Sequence, residues 1–333
     1  MTSKERVLRS LHFHNPDQTP RDIWVLPAAF CVHGDKLRLL ASNDNLDFAR
    51  VPFSDPTYDA SIYKPGEFTD IWGCGWQNRQ YGIIGEVKSW PLADNSSIDT
   101  YHSPAKIFRE TGSSMYAQCS DFLRSYEDKF LLCGWLSVFE RMQYLRGTAN
   151  LFMDIAEESN EFYKIREIVW EYALEYVKAV CKIDFNAFII GDDWGSQRAM
   201  LISPSAWRKL FKPVYKDIID YILSMGKDVF FHSDGYILDL YDEWLSLGVA
   251  AVNTQINCMG INNVAEKVRN RLCLWGELDR QHVMPQGTAA DVMDMVDSIK
   301  AAVESGGGLI GQFEVNKDMP WENVKAAYDR WVL

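Results

Sequence analysis

Acidic and imidazole side chains follow four short apolar runs in the second half of this 333-residue sequence. Carboxylates and an imidazole that meet in one place can bind a divalent metal ion or transfer protons. They would meet if the four runs were buried parallel strands, because β/α proteins build their active sites at the carboxyl ends of such strands. The runs lie in AFIIGDDWGSQ, VFFHSDG, LCLWGELDRQH and GLIGQFE, and the side chains concerned are Asp192, Asp193, His232, Asp234, Glu277, Asp279 and Glu314.

The segment at residues 232–235, His-Ser-Asp-Gly, is the sharpest of these candidates. His232 ends an apolar run and should point into the mouth of a barrel, and Asp234 should face the same side because side chains alternate along a strand. Gly235 would let the chain turn close to a ligand. A histidine beside a carboxylate suits a metal ion or proton transfer. The alternative is a hydrogen-bonded pair that only holds the loop.

The adjacent acids Asp192 and Asp193 follow the run at residues 187–190. Alternation should send one of them inward and the other outward. The inward one could hold a cation or a substrate N–H group, or transfer a proton. The alternative is a helix N-cap with a salt bridge to Arg198. Glu314 should approach the same mouth from the last strand.

Further candidates come from the aromatic segment FTDIWG and from a later helix. Asp70, in FTDIWG, could meet a polar group of a ligand or only form a turn, and Arg141 could meet a carboxylate or phosphate. The side chains predicted to be catalytic are Asp192, Asp193, His232 and Asp70; those predicted to contact the substrate are Trp72, Trp194, Gln197, Arg141, Gln255 and Glu277; those predicted to bind a metal are His232, Asp234 and Glu314.

Strands and helices should alternate from residue 187 onwards. Short apolar runs between amphipathic segments of ten or more residues are typical of buried parallel strands. With at least two strands before them, five such units predict an α/β protein with a (β/α)8 TIM barrel. An open doubly wound sheet is the weaker alternative, because no GxGxxG follows the first strand. The predicted strands are 187–190, 228–232, 249–254, 272–276 and 308–312, and the predicted helices are 204–224, 237–246, 261–269, 288–304 and 320–332.

The first half has a different pattern. Residues 68–90 alternate and are rich in aromatic and β-branched residues, which predicts an antiparallel hairpin added to the barrel. Residues 27–66 have no clear period and are predicted to be helix fragments and loop. We find no linker, so residues 1–333 should form a single domain.

Composition excludes several classes of function. A net charge of −12 argues against a nucleic-acid partner, which would require a basic face. The sequence has no long apolar span and no apolar run near its start, so neither a membrane segment nor a signal peptide is expected. Seven cysteines without a CxxC pair indicate reduced thiols, and we expect a cytoplasmic protein. A homodimer is compatible with these features.

At these motifs the chain resembles the uroporphyrinogen decarboxylase superfamily, which includes cobalamin-linked methyltransferases. The resemblance covers nearly the whole chain and implies that the (β/α)8 TIM barrel is a distorted one. The segments that carry it are SKERVLRSLHFHNPDQTPRD, FTDIWGCGW, GEVKSWPLAD, GDDWGSQRAMLISPSAWRKLFKPVYK, FFHSDGYI, LWGELDRQHVMPQGT and PWENVKAAY.

The chain departs from the superfamily patterns in two ways. The first departure places it closer to the methyltransferase branch, and the second changes the metal ligands of that branch. True uroporphyrinogen decarboxylases bind the carboxylates of their substrate with an arginine-rich motif, where this chain has only Arg21. The methyltransferase branch holds zinc with a His-x-Cys pair and a later Cys. Here His232 matches the histidine, Asp234 replaces the first cysteine, and no cysteine lies near Glu314. The resemblance therefore implies a harder N/O site for zinc or another divalent metal, or no metal.

The leading hypothesis is a methyltransferase-like enzyme that acts on a small molecule, with metal-assisted methyl transfer to or from a thiol or a corrinoid on a partner protein. The first alternative is a cofactor-free decarboxylase of a tetrapyrrole-like substrate, in which Asp70 and Asp192 would hold pyrrole N–H groups. The second alternative is a non-catalytic protein that binds a corrinoid or a porphyrin.

Overall fold

The computed structural model describes residues 1–53, 55–110, 116 and 119–332, and its strands form a parallel barrel and a small antiparallel sheet. The barrel contains β1, β2 and β6 to β11, in the order β1-β11-β10-β9-β8-β7-β6-β2, and the small sheet contains β3, β4 and β5. In chain order the strands are β1 (Arg21–Val25), β2 (Phe48–Arg50), β3 (Gly66–Thr69), β4 (Gly75–Asn78), β5 (Glu86–Ser89), β6 (Phe130–Leu136), β7 (Ala187–Gly191), β8 (Asp228–Ser233), β9 (Ala251–Thr254), β10 (Cys273–Trp275) and β11 (Leu309–Val315). The predicted (β/α)8 barrel is confirmed.

Helices surround the barrel and also lie in the connections at its two ends. Their positions are α1 (Ser3–Leu11), α2 (Pro27–Leu40), α3 (Asn95–Ile98), α4 (Ile107–Glu110), α5 (Ser120–Ser125), α6 (Phe139–Arg146), α7 (Thr148–Glu157), α8 (Asn160–Val180), α9 (Pro204–Leu210), α10 (Lys212–Ser224), α11 (Tyr241–Leu247), α12 (Ile256–Met259), α13 (Ile261–Val268), α14 (Val283–Gln286), α15 (Ala289–Val303) and α16 (Trp321–Arg330). Single 3-10 turns lie at Asn43–Asn45, Ala60–Tyr63, Pro104–Lys106 and Leu238–Leu240.

Side chains bridge the two end strands of the sheet. Arg50 on β2 donates two hydrogen bonds to Asp22 on β1, at 2.9 and 2.8 Å. Just before β2, the N–H of Asp47 donates to the carbonyl of Arg21 at 3.1 Å. These contacts bring β1 and β2 together, so the eight strands form a nearly closed barrel.

The barrel interior is apolar towards its amino-terminal end and polar towards its carboxyl-terminal end. Val7 and Leu11 of α1 belong to the same buried cluster as the interior side chains, so α1 covers the amino-terminal end. The interior members of that cluster are Phe48, Phe130, Leu132, Ala187, Ile189, Phe230, Ala251, Cys273, Trp275 and Ile310. A second, larger cluster fills the layer between the strands and the helices. The carboxyl-terminal end is therefore where a ligand can enter.

Three local features differ from the sequence-based expectations. The region predicted as a hairpin has a third strand, because β3, β4 and β5 pair in sequence. Residues 27–66 include the 14-residue helix α2, which bends at Gly34 (φ 58), and the short strand β2. The helix predicted at residues 204–224 divides at Phe211, because Pro213 lies in the first turn of α10 and favours a new helix start.

The cysteines form no disulfide within the described part of the chain. Within those same residues, no helix combines the length and apolar character that crossing a bilayer would require.

Candidate metal and substrate site at the barrel mouth

The two-residue period of the strands decides which polar side chains enter the mouth. On β7, Ile189 lies in the barrel interior, and the same face leads to Asp193 just beyond the strand. On β8, Phe230 lies inside, and the same face leads through His232 to Asp234. Because β7 and β8 are neighbours, these three polar side chains meet.

Asp193, His232 and Asp234 bring three potential metal ligands together. Nε2 of His232 lies 3.6 Å from Oδ1 of Asp193 and 3.8 Å from Oδ1 of Asp234. All three ligand atoms lie within 4.8 Å of one another. The backbone N–H of Asp234 donates to Asp193 at 2.8 Å, which holds the first carboxylate in place. Oδ1 of Asp234 is buried and has no hydrogen-bond partner among the described residues.

Asn253 sets the tautomer of His232. Its side-chain amide donates to the carbonyls of Trp275 and Gly276 and to Oε1 of Gln312, at 2.7, 3.0 and 2.8 Å. The amide oxygen of Asn253 is therefore the atom that faces Nδ1 of His232, at 2.6 Å. An oxygen there requires a proton on Nδ1, so Nε2 of a neutral ring presents its lone pair to the two aspartates.

Arg280 lies among the acids on the opposite side of the mouth, a position that the sequence did not reveal. It contacts Asp234, and it lies 3.0 Å from Glu277 and 3.3 Å from Glu314. Glu314, which the sequence predicts to be a metal ligand, lies 3.3 Å from Arg280, and Asp193 lies 3.6 Å from His232. Asp279 accepts hydrogen bonds from the backbone of the two residues after Arg280 and lines a cleft together with Glu277 and Arg280.

The mouth contains several carboxyl groups whose ionised forms are disfavoured by burial. Burial raises the pKa of Glu277 well above its ordinary value; Arg280 opposes this shift, and neighbouring acids add to it. Burial also raises the pKa of Asp193 and of Glu314. Buried acids with raised pKa values favour a bound cation or a bound proton, which is the condition expected of a metal or proton-transfer site.

Asp192 faces away from the mouth and holds α6 in place. Its carboxylate is fully buried and accepts hydrogen bonds from the backbone N–H groups of Val138, Phe139 and Glu140, at 2.6, 3.0 and 2.8 Å. The hydroxyl of Tyr215 donates to it at 2.6 Å. Burial raises its pKa to about 6, although these hydrogen bonds oppose the shift. The predicted catalytic role of Asp192 would therefore require it to give up bonds that position a helix.

Asp70 and the aromatic residues near it form a packed structural unit. Asp70 accepts hydrogen bonds from the backbone of Trp72 and Cys74 and from the indole of Trp76, at 2.9, 2.9 and 2.8 Å. Arg141 lies 3.5 Å from Asp70 and stacks over the ring of Trp72. Trp72 is 2% exposed and the side chain of Asp70 is 7% exposed, so a substrate contact with either would require this unit to open.

Trp194 is also part of the core. It is fully buried and stacks on Phe139, with ring centroids 4.2 Å apart. The contact with a substrate that the sequence predicts for Trp194 would require this packing to open.

Three of the residues predicted to contact the substrate lie together in the structure: Gln197, Gln255 and Glu277. Gln197 donates to the side-chain oxygen of Gln255 at 2.9 Å, and the backbone of Gly235 donates to the same oxygen at 3.2 Å. The three side chains line a cleft of about 350 Å³, together with Cys258 and Arg280. The cleft opens beside the Asp193–His232–Asp234 cluster and offers amide groups that could orient a polar ligand.

Sequence reasoning missed two tryptophans that flank His232. The ring centroids of Trp24 and Trp135 lie 5.0 and 5.8 Å from that of His232, and 5.7 Å from each other. Trp135 is 46% exposed, which shows that the mouth is open on its side. Trp24 shares a strand face with the buried Asp22, so the two-residue period of β1 was the signal that could have located it.

Comparisons with known proteins agree with this architecture. The family model of uroporphyrinogen decarboxylase (URO-D) matches residues 87–330. A solved methyltransferase from Methanosarcina mazei is similar in structure, with 15% identity, 99% coverage of each chain and a TM-score of 0.74, and it shows the same fold.

Two other solved structures align more weakly. A dihydropteroate synthase from Xanthomonas albilineans has 12% identity, covers 58% of this chain and 65% of its own, and has a TM-score of 0.33. A 3-keto-D-glucoside 4-epimerase from E. coli has 12% identity, covers 74% and 95%, and has a TM-score of 0.39. TM-scores this low do not establish a shared fold. No curated protein is significantly similar in sequence.

Proposed function

Because the chain belongs to the uroporphyrinogen decarboxylase family, we propose that it is a methyltransferase-like enzyme that binds a divalent metal ion through Asp193, His232 and Asp234. The observation that carries this proposal is the convergence of three ligand atoms on one point, with the histidine tautomer already set by Asn253. The similarity in fold to the Methanosarcina methyltransferase supports the choice of reaction.

The donor set fits a divalent metal. One imidazole nitrogen and two carboxylate oxygens suit zinc or another first-row divalent ion, and three protein ligands leave a position for the substrate. Oδ1 of Asp234 is buried, and no described residue donates a hydrogen bond to it. A bound cation would supply the partner that this oxygen lacks. Asn253 acts as the outer partner that metal-binding histidines ordinarily have.

A divalent ion at this point would act as a Lewis acid that lowers the pKa of a thiol or withdraws electrons from the heteroatom that carries the methyl group. The side chains of this chain perform the remaining tasks. Asn253 keeps the proton on Nδ1 of His232, so Nε2 stays available. Trp24 and Trp135 shield the ring from water on one side. Gln197 and Gln255 orient a polar ligand in the adjacent cleft.

The second substrate in this proposal is a corrinoid carried by a partner protein, which would donate or accept the methyl group at the open mouth. The exposed face of Trp135 supports an approach from that side. The decarboxylase alternative depends on Asp70 and Asp192 as acceptors for pyrrole N–H groups. Both carboxylates already accept several hydrogen bonds from this chain, so the structure favours methyl transfer.

Metal content is the direct test. Protein purified without a histidine tag would be loaded with zinc, desalted and measured by plasma mass spectrometry. Near-stoichiometric metal in the wild type that is lost in His232→Ala and in Asp193→Ala would support the site. Asp121→Asn, on the exposed surface of α5, is the matched control and should retain the metal. A wild-type protein that retains no metal after loading would contradict the proposal.

The variant Glu314→Gln distinguishes between the two alternative sets of metal ligands. If the ligands are Asp193, His232 and Asp234, this variant should retain its metal, because Glu314 is paired with Arg280. Loss of metal in Glu314→Gln with full retention in Asp193→Ala would favour the ligand set predicted from the sequence.

A further inference from the structure

Arg50 is an arginine whose side chain enters the barrel and yet remains accessible. Phe48, two residues earlier on β2, lies in the barrel interior, so Arg50 shares the inward face. Its side chain is nevertheless 40% exposed. Part of the Arg50 side chain therefore remains in contact with solvent at the carboxyl end of β2.

Asp22 holds the guanidinium of Arg50 in one orientation. Two N–H groups of Arg50 donate to the two oxygens of Asp22, and the indole of Trp275 also donates to that carboxylate, at 3.0 Å. Asp22 is fully buried. A guanidinium has five N–H groups, so three of them remain. None of the described side chains accepts a hydrogen bond from these three, which makes Arg50 a pre-oriented donor in the mouth.

Arg50 and His232 lie on opposite sides of the barrel. In the strand order, β8 is three strands from β2 in one direction and five in the other, counting across the β1–β2 seam. Trp24 and Trp135 belong to β1 and β6, the two strands that flank β2, and both rings reach His232. The two indoles therefore form an apolar wall that runs from the side of Arg50 towards His232.

The distribution of charge in the barrel mouth leaves one region that is favourable for an anionic group. The acids around His232 and Arg280 would repel an anionic group from that side. Arg280 is already shared among three carboxylates, whereas Arg50 contacts one and is exposed. An anionic group is therefore best accommodated at Arg50, with the rest of the molecule along the indoles.

We propose that Arg50 binds the anionic group, a carboxylate or a sulfonate, of an amphipathic small-molecule substrate whose body packs against Trp24 and Trp135 and whose reacting end points to His232. This inference rests on the proposed function for the role of His232. It names the class of substrate: a molecule with an apolar or aromatic body and one acidic group at the end remote from the reacting atom.

The test compares ligands of one shape and different charge on metal-free protein. Benzoate, benzenesulfonate and benzamide would be titrated by calorimetry in the presence of a chelator, so that no ligand can bind through a metal. We expect at least one of the two anions to bind at least about tenfold tighter than benzamide, because charge-assisted hydrogen bonds are the stronger ones. The tighter of the two anions identifies the acidic group. Equal affinity for all three compounds would overturn the inference.

Variants then place the binding at Arg50. Arg50→Gln should abolish the preference for anions, and Arg50→Lys, which keeps the charge without the fork, should keep part of it. Arg124→Gln, on the exposed surface of α5, is the control and should bind as the wild type does. An undiminished preference in Arg50→Gln would overturn the inference. If Arg50→Gln does not fold, the wild-type ligand series and Arg50→Lys remain decisive.

The inference and the proposed function can fail separately. Metal content measured on the same proteins tests the Asp193–His232–Asp234 site without any anion. A preference for anions without metal binding would leave the role of Arg50 standing and would contradict the proposed function. Metal binding without a preference for anions would overturn only the inference about Arg50.

Discussion

The side-chain oxygen of Asn253 lies 2.6 Å from Nδ1 of His232, and this contact determines which ring nitrogen is available in the barrel mouth. The orientation of the amide follows from its other partners, because its nitrogen donates to two backbone carbonyls and to Gln312. A buried network around Asn253, the third residue of β9, thus prepares a histidine on β8 for metal binding.

Asn253→Ala should weaken metal binding without removing any ligand. The ring of His232 would lose the acceptor that holds its proton on Nδ1, and such outer partners ordinarily contribute roughly 10-fold to 100-fold to metal affinity. Zinc competition with a chelating dye measures this. Asn150→Ala, which removes only two long hydrogen bonds of 3.4 Å on α7, should leave the affinity unchanged. Unaltered zinc affinity in Asn253→Ala would show that the contact does not support the ligand.

Asp192 and Asp193 should give opposite results when each is replaced by alanine. Asp192→Ala removes four hydrogen bonds from a buried carboxylate at the start of α6, and we expect a loss of about 3 kcal/mol of unfolding free energy with metal binding retained. Asp193→Ala should lose the metal and cost less stability, since it accepts one backbone hydrogen bond. Denaturant unfolding and metal content on both variants check this. Equal effects would contradict the division of roles.

This pair of residues also shows where sequence reasoning stops. The apolar runs at residues 187–190 and 228–232 predicted β7 and β8 correctly, because strands buried on both faces are apolar throughout. Alternation predicted that one of the two acids faces inward. It did not say which, since an entirely apolar strand does not reveal its inner face.

Other features depend on contacts between distant segments. Strand β2 was missed because it has three residues and ends in Arg50, whose inward charge is compensated by Asp22 on another strand. Arg280 follows β10 in a loop, and no local pattern shows that it reaches Asp234 and Glu314. The sequence therefore predicts which strand ends carry the site, but it does not predict which side chains of the site pair with one another.

Arg280→Gln should make the site bind divalent metals more tightly and make the metal-free protein less stable. The variant leaves Asp234, Glu277 and Glu314 without their shared cation, and removing one member of a buried ion pair typically costs about 3–5 kcal/mol. The same change removes a positive charge beside the ligand Asp234, which favours a metal ion. Thermal unfolding with and without zinc should show a lower melting temperature for the metal-free variant and a larger increase on adding zinc than in the wild type.

Arg280→Lys serves as the control for charge, because it retains one cation near the three acids. Its metal affinity should stay closer to that of the wild type. If Arg280→Gln bound zinc more weakly than the wild type, Arg280 would have to be regarded as a support for the ligand geometry and not as a competing cation.

Glu277→Gln should flatten the pH dependence of stability in the metal-free protein. Burial raises the pKa of Glu277 in the folded state, so over the pH range between its ordinary and its raised pKa the folded protein holds a proton that the unfolded chain has released. The stability from Glu277 is thus complete below its ordinary pKa and is lost as the pH rises through the folded-state value. Glutamine cannot titrate, so the variant should lose less stability than the wild type between acid and mildly alkaline pH. Unfolding free energies would be measured across this pH range, with Glu127→Gln on the exposed surface as the control. If both variants retained the pH dependence of the wild type, the assignment would be contradicted.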